Sequence, residues 1–140
     1  MKIAHFAFAF DQGKWQTGNP YLPHNCQELS VAYTGTHDNN TTLGWYSELD
    51  DGMKDYVRRY LECSDGEIVW KLIRALMASH SMWVIFPMQD VLSLGAEARM
   101  NVPSTCGTSN WSWKMDKDAL KTPAIETLRY YSELYGRAPL

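Results

Sequence analysis

Residues 33–45 read YTGTHDNNTTLGW, and the short apolar segment Ser30 to Tyr33 leads directly into them. This arrangement is typical of α/β proteins, in which a strand fixes the backbone and its C-terminal end holds polar side chains at the mouth of a pocket. The adjacent side chains of His37 and Asp38 are therefore candidates for chemistry. The alternative is an ordinary polar loop that contains an Asx turn at residues 38–40.

The length and composition indicate one domain, residues 1–140. A chain of 140 residues is long enough to bury about 70% of the surface that its unfolded form exposes. The apolar fraction of 45% and the charged fraction of 21% are ordinary, whereas the aromatic fraction of 13% is high. Aromatic rings outside the core would suit flat apolar ligands such as sugars, although packing explains most of them.

The charge distribution excludes two classes of partner. The net charge is −3 and the longest basic cluster is the pair Arg58 and Arg59, so neither a nucleic acid nor an anionic membrane is expected as a partner. No apolar run approaches the length of a membrane span. The first residues lack the features of a signal peptide, and a cytoplasmic protein is expected.

The cysteines and histidines show no ligand spacing. Cys26, Cys63 and Cys106 are odd in number, which argues against a disulfide framework. No CxxC or HxxxH pattern is present, so no metal site is expected; a zinc site assembled from these cysteines and the four histidines is a minor alternative.

Three segments are predicted to be strands. Lys2 to Phe8 alternates in a β-rich composition, and Ser30 to Thr34 is the apolar segment before the polar cluster. Met82 to Phe86 is an unbroken apolar run ended by Pro87, which is typical of a strand buried on both faces of a parallel sheet.

Four segments are predicted to be helices. Apolar residues at helical spacing indicate an amphipathic helix over Asp51 to Glu62. Ser64 and Glu67 form a capping box that opens a second helix, which runs to about Ser79. A short helix follows Pro87 and closes at Gly95, and the last begins at Thr122-Pro123 and ends before Gly136. Irregular connections are predicted over residues 11–27 and 101–113.

The order of these elements favours parallel strands. Two of the three strands are followed by long polar connections rather than tight turns, which is the pattern of α/β proteins with crossovers. A closed barrel of eight such units needs about 250 residues, so three strands are too few to close one.

Three separate blocks of sequence resemble one family. They are TGTHDNNTTLGW at residues 34–45, NPYLPHN at 19–25, and FPMQDVLSLGAEARMNVPST at 86–105 followed by NWSWK at 110–114. In order and spacing they resemble the C-terminal third of the 4-α-glucanotransferases, also called amylomaltases or disproportionating enzymes (glycoside hydrolase family 77). The last helix is a weaker match.

The resemblance implies a fold and a reaction. The fold would be the C-terminal portion, about three βα units, of a TIM-type (β/α)8 barrel. The reaction would be a retaining transfer of α-1,4-glucan segments between maltodextrins, which uses an Asp nucleophile, a Glu acid/base and a third Asp. Maltooligosaccharides or α-1,4-glucan would be the partners, and no cofactor is implied.

The resemblance also assigns roles to individual residues. Asp38 would be the third carboxylate, which stabilises the transition state, and His37 would help to bind the same sugar. Asn101 would line the sugar site, with a loop amide that bonds backbone as the alternative. Phe6 and Trp45, together with Trp111 and Trp113, could stack on glucose rings, although core packing is the more common role of such rings.

Two other acidic residues have structural interpretations. Asp90 is expected to be structural, and Glu97 is expected to pair with Arg99. The sequence also departs from the family pattern, because Ser104 and Ser109 stand where Gly is usual and Lys114 replaces a usual Arg. A Gly to Ser change matters if the backbone there needs a positive φ.

The resemblance implies that the nucleophile and the acid/base belong to strands earlier than those of this sequence, so that Met1 matches an internal segment of longer relatives. The expected function is therefore that of a glucanotransferase fragment with no activity alone. The alternative is a non-catalytic glucan-binding or regulatory remnant. A third hypothesis is that a separate chain, the missing N-terminal part of the same enzyme, supplies the remaining strands.

Overall fold

The centre of the fold is a parallel sheet of three strands. The computed structural model describes residues 1–138. Its strands are β1 (Lys2–Ile3), β2 (Phe10–Asp11), β3 (Lys14–Trp15), β4 (Val31–Tyr33) and β5 (Trp83–Ile85). β4 lies between β1 and β5 and pairs in parallel with both, whereas β2 and β3 form a separate antiparallel pair. The parallel sheet predicted from the long crossovers is confirmed.

Helices supply the crossover from β4 to β5, whereas the connection from β1 to β4 contains the β2–β3 hairpin and two 3₁₀ helices. The α-helices are α1 (Thr42–Glu48), α2 (Asp51–Leu61), α3 (Ile68–Met77), α4 (Met88–Val91) and α5 (Pro123–Leu134). The predictions of α2, α3 and α5 are confirmed. α4 is confirmed but shorter than predicted, because the chain turns at Ser93, which adopts a φ of +54°.

Local hydrogen bonds explain where the helices begin. The Asp50 carboxylate caps α2 by accepting from the Met53 amide at 2.9 Å. Ser64 and Glu67 form the predicted capping box ahead of α3, with the Glu67 carboxylate 3.0 Å from the Ser64 amide. At α5 the predicted hydroxyl cap is absent, because Thr122 instead donates to the Ala119 carbonyl at 2.8 Å.

A main hydrophobic core fills the space between the sheet and the helices, and a smaller cluster lies between α3 and α5. The α3 residues Ile68, Leu72 and Leu76 are almost completely buried. In the main core they pack with buried residues of β4, α1, α2 and the connection from β1 to β4, namely Ala4, Ala7, Phe8, Leu22, Ala32, Tyr46, Tyr56, Val57 and Leu61. Burial of this apolar surface stabilises the fold and holds the strands in register.

Two predictions for the first 27 residues are wrong in part. The strand predicted over Lys2 to Phe8 stops at Ile3, because residues Ala4–Phe6 turn into a 3₁₀ helix that buries Ala4 and His5. The alternation of the sequence therefore reflected a tight turn against the core. The connection predicted to be irregular also contains the β2–β3 hairpin.

The prediction that the last strand is buried on both faces is wrong. Trp83 is 63% exposed and Ile85 is 49% exposed, while Val84 is half-buried. β5 lies at the edge of the described sheet. Val84 packs against the core on one face, whereas Trp83 and Ile85 point to the opposite face, which is largely exposed in the described chain. Within residues 1–138, no helix combines the length and the hydropathy needed to span a bilayer.

The missed helix α1 changes how the polar cluster is held. Its N-cap is Thr41, whose hydroxyl accepts a hydrogen bond from the Gly44 amide at 3.1 Å. The threonines and the glycine of this segment are weak helix formers, so composition hid the helix. The cap pattern at Thr41 was the one available signal.

Candidate functional site

The candidate site lies where the three parallel strands end. Residues 35–41, here called the His-Asp loop, connect β4 to α1. Residues 86–90 follow β5, and because parallel strands share one carboxyl edge, both segments meet there. The sequence prediction that polar groups follow β4 at this edge is confirmed.

A turn inside the His-Asp loop is closed by Asn39. Its side-chain oxygen accepts hydrogen bonds from the Thr36 backbone amide and from the Thr36 hydroxyl, both at 2.9 Å. The backbone amide of Asn39 donates to the Thr36 carbonyl at 3.1 Å. The turn therefore spans residues 36–39, whereas the alternative interpretation of the sequence placed an Asx turn at residues 38–40. Because Asn39 closes it, the Asp38 carboxylate takes no part in the turn.

His37 and Asp38 present their side chains together to solvent. The His37 Nε2 atom lies 3.5 Å from Asp38 Oδ1, and the two side chains are 57% and 50% exposed. A hydrogen bond of 2.7 Å from the Asn101 side-chain amide holds the same Oδ1 atom. Within residues 1–138, no hydrogen bond from the protein engages Oδ2, so this oxygen is available to a ligand.

The segment after α4 is tied to the His-Asp loop by its backbone as well. The Arg99 guanidinium donates to the Asp38 carbonyl at 2.8 Å and to the Asn101 carbonyl at 2.9 Å. The backbone amide of Asn101 donates to the His37 carbonyl at 3.1 Å. Two segments that are far apart in the sequence thus form one rigid unit around Asp38.

This unit corrects one pairing predicted from the sequence. Glu97 does not pair with Arg99: its carboxylate accepts from the Gly95 amide at 3.0 Å, and Arg99 turns towards the His-Asp loop. Asn101 is not a simple backbone-bonding amide either, since its side chain reaches the Asp38 carboxylate.

Trp111 adds an aromatic ring beside His37. The two ring centroids are 5.2 Å apart with their planes inclined by 38°. The Trp111 amide donates to the Met100 carbonyl at 2.7 Å, and the residue has a φ of +61°. Trp111 is 62% exposed, so its ring offers an open face next to the site.

A cavity of about 520 Å³ opens beside these residues. Its wall contains His37, Asp38 and Asn40 from one side and Phe86, Gln89 and Arg99 from the other. An apolar wall with a few polar groups that point inward is the usual chemistry of a pocket for a small organic ligand.

Asp90 also lines the cavity, but its carboxylate is already engaged by the protein. Its carboxylate accepts from the Thr34 hydroxyl at 2.5 Å, from the Thr42 amide at 2.7 Å and from the Thr42 hydroxyl at 2.8 Å. Burial raises the pKa of this carboxyl, and the hydrogen bonds from Thr34 and Thr42 oppose that rise. Asp90 is 1% exposed, which fits the structural interpretation.

Phe6 and Trp45 lie outside the cavity wall. Phe6 is 51% exposed and packs edge-on against Tyr21. Trp45 is half-buried and stacks on His5, with ring centroids 4.7 Å apart. The sugar-stacking roles of both residues stay predictions.

Sequence reasoning missed His5. The ring is buried, and its Nε2 atom lies 2.9 Å from the Thr42 hydroxyl. Burial lowers the pKa of His5 to about 3, so the ring is neutral near neutral pH. The signal was weak, because His5 stood in a segment that was read as a simple alternating strand.

The sulfur and metal chemistry of the described chain is limited. Cys26 is buried, Cys63 is half-buried and Cys106 is exposed, and all three are free thiols. Residues 1–138 contain no group of three or more His, Cys, Asp or Glu side chains placed to hold a metal ion.

Comparison with known proteins gives one consistent result. The family model described as 4-alpha-glucanotransferase matches residues 1–120. A 4-alpha-glucanotransferase of Synechocystis sp. is 44% identical over 139 residues, which cover 98% of this chain and 26% of the relative. A chloroplastic/amyloplastic 4-alpha-glucanotransferase of Solanum tuberosum is 41% identical over 142 residues, which cover 98% of this chain and 23% of the relative.

A solved structure is also similar. It is the amylomaltase from Streptococcus agalactiae in complex with acarbose, with a TM-score of 0.89 and 36% sequence identity. The match covers 99% of this chain and 27% of the amylomaltase chain. The α/β fold predicted from the sequence is therefore confirmed, and the chain fits part of a barrel enzyme.

The chain thus spans about a quarter of the length of these relatives. The family model nevertheless matches most of it, and the relatives are well above 30% identical. The predicted family is confirmed, and the chain belongs to the 4-alpha-glucanotransferase family.

Proposed function

We propose that this chain forms part of a 4-alpha-glucanotransferase, in which Asp38 stabilises the transition state as α-1,4-glucan segments are transferred between maltodextrins. The observation that carries the proposal is the Asp38 carboxylate at the cavity, with Oδ1 held by Asn101 and Oδ2 free for a ligand. Residues 1–140 would be a C-terminal segment of the catalytic barrel, about three βα units.

The geometry suits a retaining glycosyl transfer. The reacting sugar acquires oxocarbenium character, so positive charge develops near its anomeric carbon. A carboxylate can accept hydrogen bonds from the sugar hydroxyl groups near that carbon, and these bonds strengthen as the positive charge grows. The carboxylate therefore lowers the barrier to reaction rather than only binding the substrate. His37 beside Asp38 would donate to the same sugar, and Asn101 would keep the carboxylate aimed at it.

The proposed substrates are maltooligosaccharides. The structural relative with acarbose bound supports this ligand class. The open face of Trp111 next to His37 would receive a glucose ring, because aromatic faces stack on the apolar faces of sugars.

The chain alone is proposed to lack turnover. A retaining mechanism needs a nucleophile and an acid/base about 5 Å apart. Among the described residues that line the cavity, the other carboxyl group is Asp90, which is buried and occupied by three donors. No second accessible carboxylate therefore faces Asp38.

Two measurements on the purified chain test this proposal. Incubation with maltotriose should yield no glucose and no redistribution of chain lengths. Calorimetry with maltoheptaose should detect binding that Asp38→Asn weakens, while Asp11→Asn, at an exposed aspartate of the hairpin, leaves it unchanged. Disproportionation by the chain that disappears in Asp38→Asn would overturn the proposed lack of activity.

A second function, a non-catalytic glucan-binding or regulatory module, is supported by the exposed His37 in the cavity wall and by the exposed ring of Trp111 beside it. This module would be favoured if His37→Ala abolishes the binding of maltoheptaose and Asp38→Asn leaves it unchanged. Trp45→Ala should then change binding only if Trp45 reaches the sugar, which tests its predicted stacking role.

A separate chain that carries the other strands of the family barrel is a proposed partner. Trp83 and Ile85 expose apolar surface on β5, at the edge of the described sheet. Unpaired strand edges promote association, so a separate chain with the remaining barrel strands would complete the enzyme. Gel filtration that shows only a compact monomer, with and without such a chain, would contradict this partner.

The cytoplasmic location expected from the sequence stays a proposal. The relative from Solanum tuberosum is named for chloroplasts and amyloplasts, so location differs within the family. Fluorescence of a tagged chain in its host cell would decide it.

A further inference from the structure

Both ends of the His-Asp loop are attached to one buried carboxylate. Thr34 directly precedes the loop and Thr42 directly follows it. Their hydroxyls donate to the same Oδ2 atom of Asp90, at 2.5 and 2.8 Å. The Thr42 amide donates to Oδ1 of Asp90 at 2.7 Å. The loop that carries His37 and Asp38 is thus closed at its base by a side chain from α4.

Simple packing does not explain an aspartate at this position. Asp90 is 1% exposed, and Thr34 and Thr42 are fully buried. A buried charge carries a desolvation penalty, and an apolar group of similar volume often stabilises a core better. The carboxylate instead provides directional hydrogen bonds, and the three donors that it binds fix the relative positions of two chain segments.

His5 extends the same network to the 3₁₀ helix that follows β1. The single proton of the Thr42 hydroxyl is donated to Asp90, so the 2.9 Å contact with His5 requires His5 Nε2 to be the donor. The buried ring also lies against Gly35, where a Cβ would be 2.7 Å from the ring carbon Cε1. His5 therefore packs against the loop at Gly35, while Asp90 accepts hydrogen bonds from the residues at its two ends.

We propose that Asp90, through Thr34 and Thr42, is the positioning residue for Asp38 and His37. It holds the two ends of the His-Asp loop together, so that the loop presents the Asp38 carboxylate to the cavity in one orientation. The catalytic meaning of this role rests on the proposed function, whereas the positioning itself is a property of the loop and can be measured separately.

The test compares Thr34→Val with Thr34→Ser. Valine has nearly the same shape but no hydroxyl, whereas serine keeps the donor to Asp90. Amide hydrogen exchange of residues 36–40 should become roughly tenfold faster in Thr34→Val and stay close to the parent in Thr34→Ser. Asp90→Asn is a second variant, and it should accelerate exchange at the same amides.

A control separates positioning from general destabilisation. Ile73→Val removes one methylene from a fully buried residue of α3, far from the loop in the sequence. Denaturant unfolding gives the stability of each variant, and exchange is compared at matched global stability. Equal acceleration at residues 36–40 in Thr34→Val and Ile73→Val, or failure of Thr34→Ser to restore the parent rates, would overturn the proposal.

A binding measurement keeps this proposal distinct from the proposed function. If the parent binds maltoheptaose, Thr34→Val should weaken binding about threefold to tenfold, and Thr34→Ser should not. If the parent does not bind while exchange responds as expected, the loop attachment to Asp90 is supported and the proposed ligand is the part that fails.

Discussion

The side-chain amide of Asn101 donates a 2.7 Å hydrogen bond to Oδ1 of Asp38, across 63 positions of sequence. This contact joins the segment after α4 to the His-Asp loop and selects which carboxylate oxygen remains open. Asn101 therefore orients the carboxylate of the candidate catalytic residue.

Asn101→Ala should weaken maltoheptaose binding by about threefold to tenfold, because a hydrogen bond to a charged but partly exposed acceptor is lost. Asn101→Asp should weaken it further, since a second carboxylate would lie next to Asp38. Calorimetry at low and high salt checks both variants. The reverse order, with Asn101→Asp closer to the parent, would contradict the assigned contact.

Stability should fall as the pH is lowered from about 6.5. Burial lowers the pKa of His5 from 6.5 to about 3. Between these values the unfolded chain binds the proton and the folded chain does not, so the free energy of unfolding decreases as the pH falls, by at most about 1.4 kcal/mol per pH unit. Urea unfolding at pH 7.5, 6 and 5 measures this slope.

Matched histidine variants assign that slope. His5→Gln keeps a donor for Thr42 and removes the titration, so its stability should depend less on pH even though it loses stacking on Trp45. His80→Gln, at an exposed position, should keep the parent slope. A slope that is the same in His5→Gln and the parent would rule out His5 as its source.

Ser104→Gly should stabilise the protein. Ser104 has a φ of +61°, which costs a non-glycine residue roughly 1–2 kcal/mol, while glycine loses about 0.4–1 kcal/mol through unfolded-state entropy. We therefore expect a net gain of about 0.5–1 kcal/mol in the free energy of unfolding.

Ser109→Gly is the control for that substitution. Ser109 is a serine of the same segment, but among residues 1–138 it does not belong to those with a positive φ. It should lose roughly 0.5 kcal/mol. Thermal unfolding of both variants checks the contrast, and a gain in both would mean that backbone strain is not the cause.

Gly35→Ala should destabilise the protein by about 1–3 kcal/mol, the range for overpacking of a well-packed interior. The new Cβ would lie 2.7 Å from His5 Cε1 and 3.0 Å from His5 Nδ1. The ring has little room to move, because it is stacked on Trp45 and bonded to Thr42. Urea unfolding measures the loss.

Gly107→Ala is the matched control, since its Cβ would meet its nearest neighbour, the Ser109 hydroxyl, at an ordinary 3.6 Å. It should change the free energy of unfolding by less than about 0.5 kcal/mol. A similar loss at both glycines would indicate a general preference for glycine rather than a clash with His5.

The long periodic elements were predictable from the sequence. The spacing of apolar residues in α2 and α3 and the capping box at Ser64 are local signals, and each led to a helix in the right place. The family was predictable too, since whole blocks such as residues 34–45 identify it by residue identity rather than by structure.

Short or context-dependent elements were not predictable in the same way. The alternation of residues 2–8 fits a strand as well as a 3₁₀ turn, and only contact with the core favours the turn. The apolar run at β5 indicated complete burial, but the core covers only the face that carries Val84 and leaves Trp83 and Ile85 exposed. α1 had little helical propensity and depends on its cap and its packing.

The sequence by itself determined the family, the parallel order of the strands and the position of His37 and Asp38 after β4. Only the tertiary structure decided that Asn101 holds Asp38, that Arg99 turns away from Glu97, and that Asp90 joins Thr34 to Thr42. The physical reason is the distance along the sequence over which each kind of interaction acts. Strand and helix signals act over a few residues, whereas these hydrogen bonds join groups 48 to 63 positions apart that meet only after the core has packed.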